Sequence, residues 1–238
     1  LRNPGMQISA LLPLPFYLEL IGSVQNGKGE TALSFLSSTE TTFAGRPILE
    51  QTVNEGNDLI YMGRLKSAAD LSDTLSAIFG TSHLFGSNGT GIDTRTRIHG
   101  IDFFMKWKPL ATHHGWPFLT FQGEVMQRSY QAGAAEVDGV SLPKETLSTR
   151  GFYLQSLYGF KRQWVAGIRY ESANATDPSD PRTGDRWRIS PNITFYPSEF
   201  SKLRLQYNYD KSDDLKDPVH AVFLQYEFLI GAHGAHIF

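Results

Sequence analysis

The segment Ser201–Asp210 alternates with a period of two. Leu203, Leu205, Tyr207 and Tyr209 fall on one side, and Lys202, Arg204, Gln206, Asn208 and Asp210 on the other. Only an extended strand puts every second side chain on a common face, so this stretch reads as a β-strand with one apolar and one polar side. The alternation recurs down the chain. In 117–128, Leu119, Phe121, Gly123 and Val125 oppose Thr120, Gln122, Glu124, Met126 and Arg128. In 186–196, Trp187, Ile189, Pro191, Ile193 and Phe195 oppose Arg186, Arg188, Ser190, Asn192 and Thr194. Segments 100–108 and 162–171 repeat it, Phe104 being the exception in the first. No helical segment accompanies these strands to cover their apolar faces. Apolar faces that end in Trp, Tyr or Phe, opposite faces rich in long charged side chains, are the pattern of transmembrane β-barrels, with aromatic girdles outside and a polar interior.

Composition agrees and narrows the choices. The 238 residues suit one large β domain, 1–238, and the absence of cysteine excludes a disulfide framework and a thiolate metal site. A net charge of −2 gives no global field to attract nucleic acid, so no nucleic-acid partner is expected. The aromatic content of 13% favours strands and interfacial belts. Mean hydropathy is only −0.28, yet a barrel escapes that test because lumen residues cancel lipid-facing ones. The most apolar run, Ile8 to Val24, holds Pro13, Pro15 and Glu19 and cannot be a membrane-spanning helix.

The pattern predicts eleven strands, at about 5–12, 15–26, 58–66, 73–86, 95–107, 117–128, 149–159, 162–172, 185–196, 200–210 and 219–230. Their connections alternate in length. Short ones are expected at Leu12–Pro15, Ser67–Ser72, Lys108–Trp116, Phe160–Lys161 and Pro197–Glu199. Longer ones are expected at Asn26–Asn57, Ser87–Thr94, Ser129–Ser148, Ala173–Gly184 and Lys211–Pro218. Outer-membrane barrels have short periplasmic turns and longer extracellular loops, which makes Asn26–Asn57 the largest extracellular loop. Such barrels also have an even number of strands. The expectation is therefore an antiparallel up-and-down transmembrane barrel of about 12, possibly 14, strands, with at least one strand upstream of Leu1.

Several stretches resemble a family of porin-like outer-membrane proteins. They are Asp58–Lys66 with Asp70–Asp73, Gly100–Leu110, Tyr196–Tyr207, Val219–Phe228 and the ending Gly231–Phe238. The resemblance runs from about Gly5 to Phe238. It implies a bacterial outer-membrane barrel, a further N-terminal segment, contact with outer-membrane lipid and lipopolysaccharide, and a terminal Phe238 of the kind read by the barrel-assembly machinery. The family defines no catalytic residues.

No enzyme motif is present: there is no Gly-x-Ser-x-Gly, His-Glu-x-x-His or P-loop, and neither enzymatic activity nor a cofactor is expected. His83 and His99 lie opposite each other if Ser87–Thr94 closes a symmetric hairpin. They could share a metal or meet a lipopolysaccharide phosphate, although two polar rings in an interfacial belt is the plainer reading. His113 with His114 reads as a solvated turn, and His233 with His236 as an incomplete ligand set. Asp177–Arg182 and Lys211–Asp217 lack calcium-loop spacing.

The function argument rests on the polar faces. Their basic members are Arg64, Lys66, Lys106, Lys108, Arg128, Arg169, Arg186, Arg188, Lys202 and Arg204, which outnumber Glu19, Asp102, Glu124, Glu171, Asp210 and Glu227. A basic lining lowers the barrier to anions. Arg186, Arg188, Lys202 and Arg204 stand on neighbouring strands and are expected to form one patch. The reading is a porin-like channel for small, anionic solutes. Its alternative is a non-conducting structural or assembly barrel, its charges paired across strands, that sheathes or anchors a partner protein.

Overall fold

The computed structural model describes residues 3–37, 39–51, 53, 55–174 and 184–230. In chain order its strands are β1 (Gly5–Leu11), β2 (Tyr17–Asn26), β3 (Thr42–Phe43), β4 (Arg46–Pro47), β5 (Leu59–Ser72), β6 (Leu75–Ser87), β7 (Arg95–Trp107) and β8 (Phe118–Ala132). They continue as β9 (Ala135–Val137), β10 (Val140–Leu142), β11 (Glu145–Lys161), β12 (Trp164–Ala173), β13 (Arg186–Ser198), β14 (Ser201–Ser212) and β15 (Val219–Phe228). The described residues contain no α-helix. Eleven strands make one sheet in the order β1-β2-β5-β6-β7-β8-β11-β12-β13-β14-β15, every neighbour antiparallel. The other four strands form two small hairpins, β3 with β4 and β9 with β10.

Register fixes the two faces. One row of opposed residues runs from Glu19 through Lys66, Gly80, Asp102, Glu124, Tyr153, Glu171 and Arg188 to Asp210. Side chains two positions along any strand share that face, so the polar sets of the different strands merge into one surface. The apolar sets merge on the other side. Their exposures are inverted relative to a water-soluble sheet. Thr96 and Asp210 on the polar face are 0% and 5% exposed, while Ile101 and Leu205 on the apolar face are 62% and 48% exposed. Among the described residues no further layer of sheet or helix stacks on the eleven strands, and the β2–β5 connection described below covers part of the polar face.

β1 pairs only with β2 and β15 only with β14 among the described residues. Because neighbours alternate in direction, these two edge strands run the same way. Antiparallel closure therefore requires an odd number of additional strands between them.

Eleven sheet strands match the expected number, but their ends differ. Ser67–Ser72 is strand, not turn: β5 continues to Ser72, and only Asp73 and Thr74 separate it from β6. Likewise Ser129–Ser148 is mostly strand, since β8 reaches Ala132 and β11 starts at Glu145. At 67–72 the small side chains Ser67, Ala68 and Ala69 blur the alternation, and at the ends of β8 and β11 it is inverted: Tyr130, Ala132 and Leu147 lie on the otherwise polar face, buried under Phe43 and Ala44. The intervening β9–β10 hairpin turns at Asp138 and Gly139, both at positive φ (50° and 78°). Asp-Gly is a preferred pair for such a turn and was a legible signal. Lys108 falls past the end of β7, its amide donating to the Thr74 carbonyl.

Candidate functional site

The sheltered polar face holds three groups of charged side chains. On β5–β7, the Arg64 guanidinium grips Asp102 with two hydrogen bonds of 2.7 and 2.9 Å and donates to Ser82 Oγ at 2.6 Å. The pair passes over β6 at Gly80, where a Cβ would stand 2.5 Å from Asp102 Oδ2. Glu124 faces Asp102 directly on β8.

On β12–β14 the charges form a chain. Arg169 stacks 3.8 Å from the Tyr153 ring centroid and donates to Glu171 at 2.5 Å. Arg188 bridges Glu171 at 3.2 Å and Asp210 at 2.5 Å. Arg186 reaches the same Asp210 at 2.5 and 2.7 Å. Three guanidiniums thus share two carboxylates. Bidentate arginine–carboxylate geometry holds these groups in fixed positions, which a channel lining or a rigid filling both require.

The expected single patch of Arg186, Arg188, Lys202 and Arg204 is split. Arg188 is opposite Asp210, whereas Arg204 is opposite Thr194 and donates to its hydroxyl at 3.1 Å. Six residues of β13 separate those rows, roughly 20 Å. Lys202 pairs with Glu227 at 2.9 Å. Lys106 lies on the same face, opposite Ser76 near the short-turn end. The basic excess also shrinks: Asp70 and Glu145 join the face by register, and Lys108 does not.

The third group was not foreseen. The β2–β5 connection does not project away from the sheet; it folds over the polar face at the end of the long connections. The β3–β4 hairpin turns at Ala44 and Gly45, both at positive φ. It delivers Arg46, 1% exposed, whose guanidinium donates to the carbonyls of Gly133 (2.7 Å), Ala44 (2.9 Å) and Pro143 (2.9 Å) and to Glu145 (2.5 Å). The Phe43 ring stacks on Tyr130 at 4.2 Å. Arg128 lies under this cover, donating to Ser34 Oγ at 2.9 Å and Thr149 Oγ1 at 3.1 Å. Phe35 packs with Ala32 and Ile60 against Leu84 and Ile98. Two phenylalanines and a leucine (Phe35, Leu36 and Phe43) in a connection expected to be an extracellular loop were the sequence signal for this cap.

His83 and His99 do face each other on the outward side, Nδ1 to Nδ1 2.7 Å apart. No group of three or more potential metal-ligating side chains gathers among the described residues. His113 and His114 pack edge to face in the β7–β8 turn. Asp177–Arg182 and the candidates His233, His236 and Phe238 lie outside the described residues.

No protein-family model matches this chain, and no solved structure matches it. An uncharacterized protein of Aquifex aeolicus (strain VF5) is 28% identical over 260 aligned residues, which cover all of this chain and 52% of that protein. The chain spans about half the length of the curated relative it matches.

Proposed function

We propose that the eleven-stranded sheet is the wall of a bacterial outer-membrane β-barrel, closed by further strands to a total of about 12 or 14. The barrel serves as a porin-like passage for small anionic solutes. One observation carries the reading: through the middle of the sheet, from β5 to β14, the sheltered face is mainly polar and the exposed face mainly apolar. Aromatic residues near strand ends, such as Trp107, Trp164 and Trp187 on the outward set, suit the two interfaces. Lipid and lipopolysaccharide surround this surface, and the barrel-assembly machinery inserts it.

The anion preference is carried by the surplus guanidinium among Arg169, Arg186 and Arg188, and by Arg204, whose partner is a hydroxyl. Net charge on the face is close to balanced, so local stoichiometry sets the field a solute meets. A fixed, unneutralised positive charge in a confined aqueous path raises the local anion concentration. Its effect weakens as salt shortens the screening length to about 3 Å at 1 M. The full-length protein in planar lipid bilayers should conduct with anion preference at low salt, and Arg188→Glu with Arg204→Glu should abolish or reverse it.

A second reading has its own support. The cap over Tyr130 and Arg128, and the pairing of Arg64, Lys202 and the arginine chain, favour a filled, non-conducting barrel that anchors a protein partner. A full-length barrel with no conductance, before and after removal of the cap, selects this alternative.

A further inference from the structure

The outward face changes character sharply near the long-connection end. On β7, β8 and β11 the row Ile101, Val125 and Phe152 is apolar and exposed. One step further, about 7 Å along the strands, the row is His83, His99, Gln127 and Arg150. The next holds Phe85, Arg97, Ser129 and Ser148. Arg95 follows, opposite Ser87, its amide bonded to Gln131 Oε1. Arg95, Arg97 and Arg150 are exposed, and none has an ion-pair partner among the described residues.

The outward positions of β6, β7, β8 and β11 contain no carboxylate. The acid nearest Arg95 and Arg97 along the sequence, Asp93, belongs to the turn beyond Arg95. The polar face differs: there Arg64, Arg169, Arg186 and Arg188 each bond an acid, whereas here all three arginines lack one at the border of an apolar surface. Strands stand about 4.8 Å apart, so Arg97 and Arg150 lie on strands roughly 10 Å apart across β8. Their donors span the width of a phosphorylated sugar headgroup. Gln127, Ser129 and Ser148 add neutral donors between them.

The geometry points to an outward-facing site for the phosphate groups of an anionic glycolipid, the lipopolysaccharide of the outer leaflet, held by Arg97 and Arg150 with Arg95 and the His83–His99 pair at its margin. Arginine matches phosphate with paired N–H donors, and the flanking apolar row supplies the seat for acyl chains. This site rests on the proposed function insofar as the apolar face meets lipid.

The test uses the full-length protein folded in detergent micelles, with native mass spectrometry counting bound lipid. The probes are purified lipopolysaccharide, its dephosphorylated form and inorganic phosphate. Wild-type protein should retain lipopolysaccharide in preference to the dephosphorylated form, and inorganic phosphate alone should not displace it. Arg97→Gln with Arg150→Gln should weaken retention about thirtyfold, taking each arginine near a charged lipid surface at its usual worth. Arg97→Lys with Arg150→Lys should restore most of it, and the inward pair Arg186→Gln with Arg188→Gln should leave it unchanged. Equal retention of both lipid forms, or an unchanged affinity in the Gln pair, overturns the site while leaving the barrel intact. Failure of the wild type to show heat-modifiable mobility and to insert into vesicles of any composition overturns both.

Discussion

Around Arg64 one guanidinium meets one carboxylate, whereas around Arg188 three guanidiniums share two. Both regions lie on the same sheltered face, and Asp102, Glu171, Arg188 and Asp210 share one register row. The first sits across β6 on the bare Cα of Gly80. The second is a chain running from the Tyr153 ring to Arg186. The comparison teaches that a count of charges on a face says little about the field over it; the matching of each cation to its acids decides. An ion pair between half-exposed groups is nearly neutral to a passing solute, and an unshared guanidinium is not.

The largest expected effect probes the cap that overlies the polar face at one end. Arg46→Ala leaves the carbonyls of Gly133, Ala44 and Pro143 without their donor and should cost about 3 to 5 kcal/mol of local stability, at about 1–3 kcal/mol for each buried acceptor left unsatisfied, while the half-exposed Glu145 meets water. Limited proteolysis of the folded protein within 27–57 should accelerate sharply. If the passage is open, conductance should rise as the cap loosens.

The comparison assumes that both charged regions face inward. Leu205→Arg puts a charge on the outward face and should cost about 2–4 kcal/mol near the bilayer midplane, whereas Gln206→Arg, one residue on, should cost far less. Urea titration in lipid vesicles measures both. Equal tolerance would dissolve the distinction between the faces.

The different stoichiometries should then be visible in selectivity. Asp210→Asn frees Arg186 and leaves three guanidiniums with the single carboxylate of Glu171, a surplus of two, whereas Asp102→Asn leaves a surplus of one at Arg64. Reversal potentials under a salt gradient should shift toward anions in both variants, more in the first. A larger shift from Asp102→Asn would place the selective region on β5–β7 instead. The smallest effect belongs to Gly80→Ala. The added methyl group pushes apart the ends of two flexible side chains, not backbone, so the loss should stay near or below about 1 kcal/mol, the scale of a partly exposed ion pair.

Much of this was written in the alternation of residues. Which side chains share a face on β8, β13 and β14 follows from a period of two, because a one-residue slip would invert the whole strand. The opposition of His83 and His99 followed from a symmetric hairpin. Three things were not legible. The ends of β5, β8 and β11 break the apolar rhythm: small residues fill 67–69, and Tyr130, Ala132 and Leu147 are buried on the polar side by a cap that is remote in sequence. The cap depends on Arg46 finding Glu145, 99 positions away, a contact no local pattern announces. The pairing of Arg186 and Arg188 with Asp210, and the separation of both from Arg204, required the register of β13 on β14. Their place on two neighbouring strands had merged these four cations into one patch.

The central claim is that the polar face is the inside and the apolar face meets lipid. The chain has no cysteine, so a single introduced cysteine is a unique probe. Cysteines placed one at a time from Leu203 to Asn208 in the membrane-inserted, full-length protein can carry a nitroxide label whose collisions with oxygen, concentrated in hydrocarbon, and with a water-soluble nickel chelate are compared. Positions 203, 205 and 207 should favour oxygen and positions 204, 206 and 208 should not, with a period of two. A reversed phase, or uniform accessibility along the strand, would contradict the account.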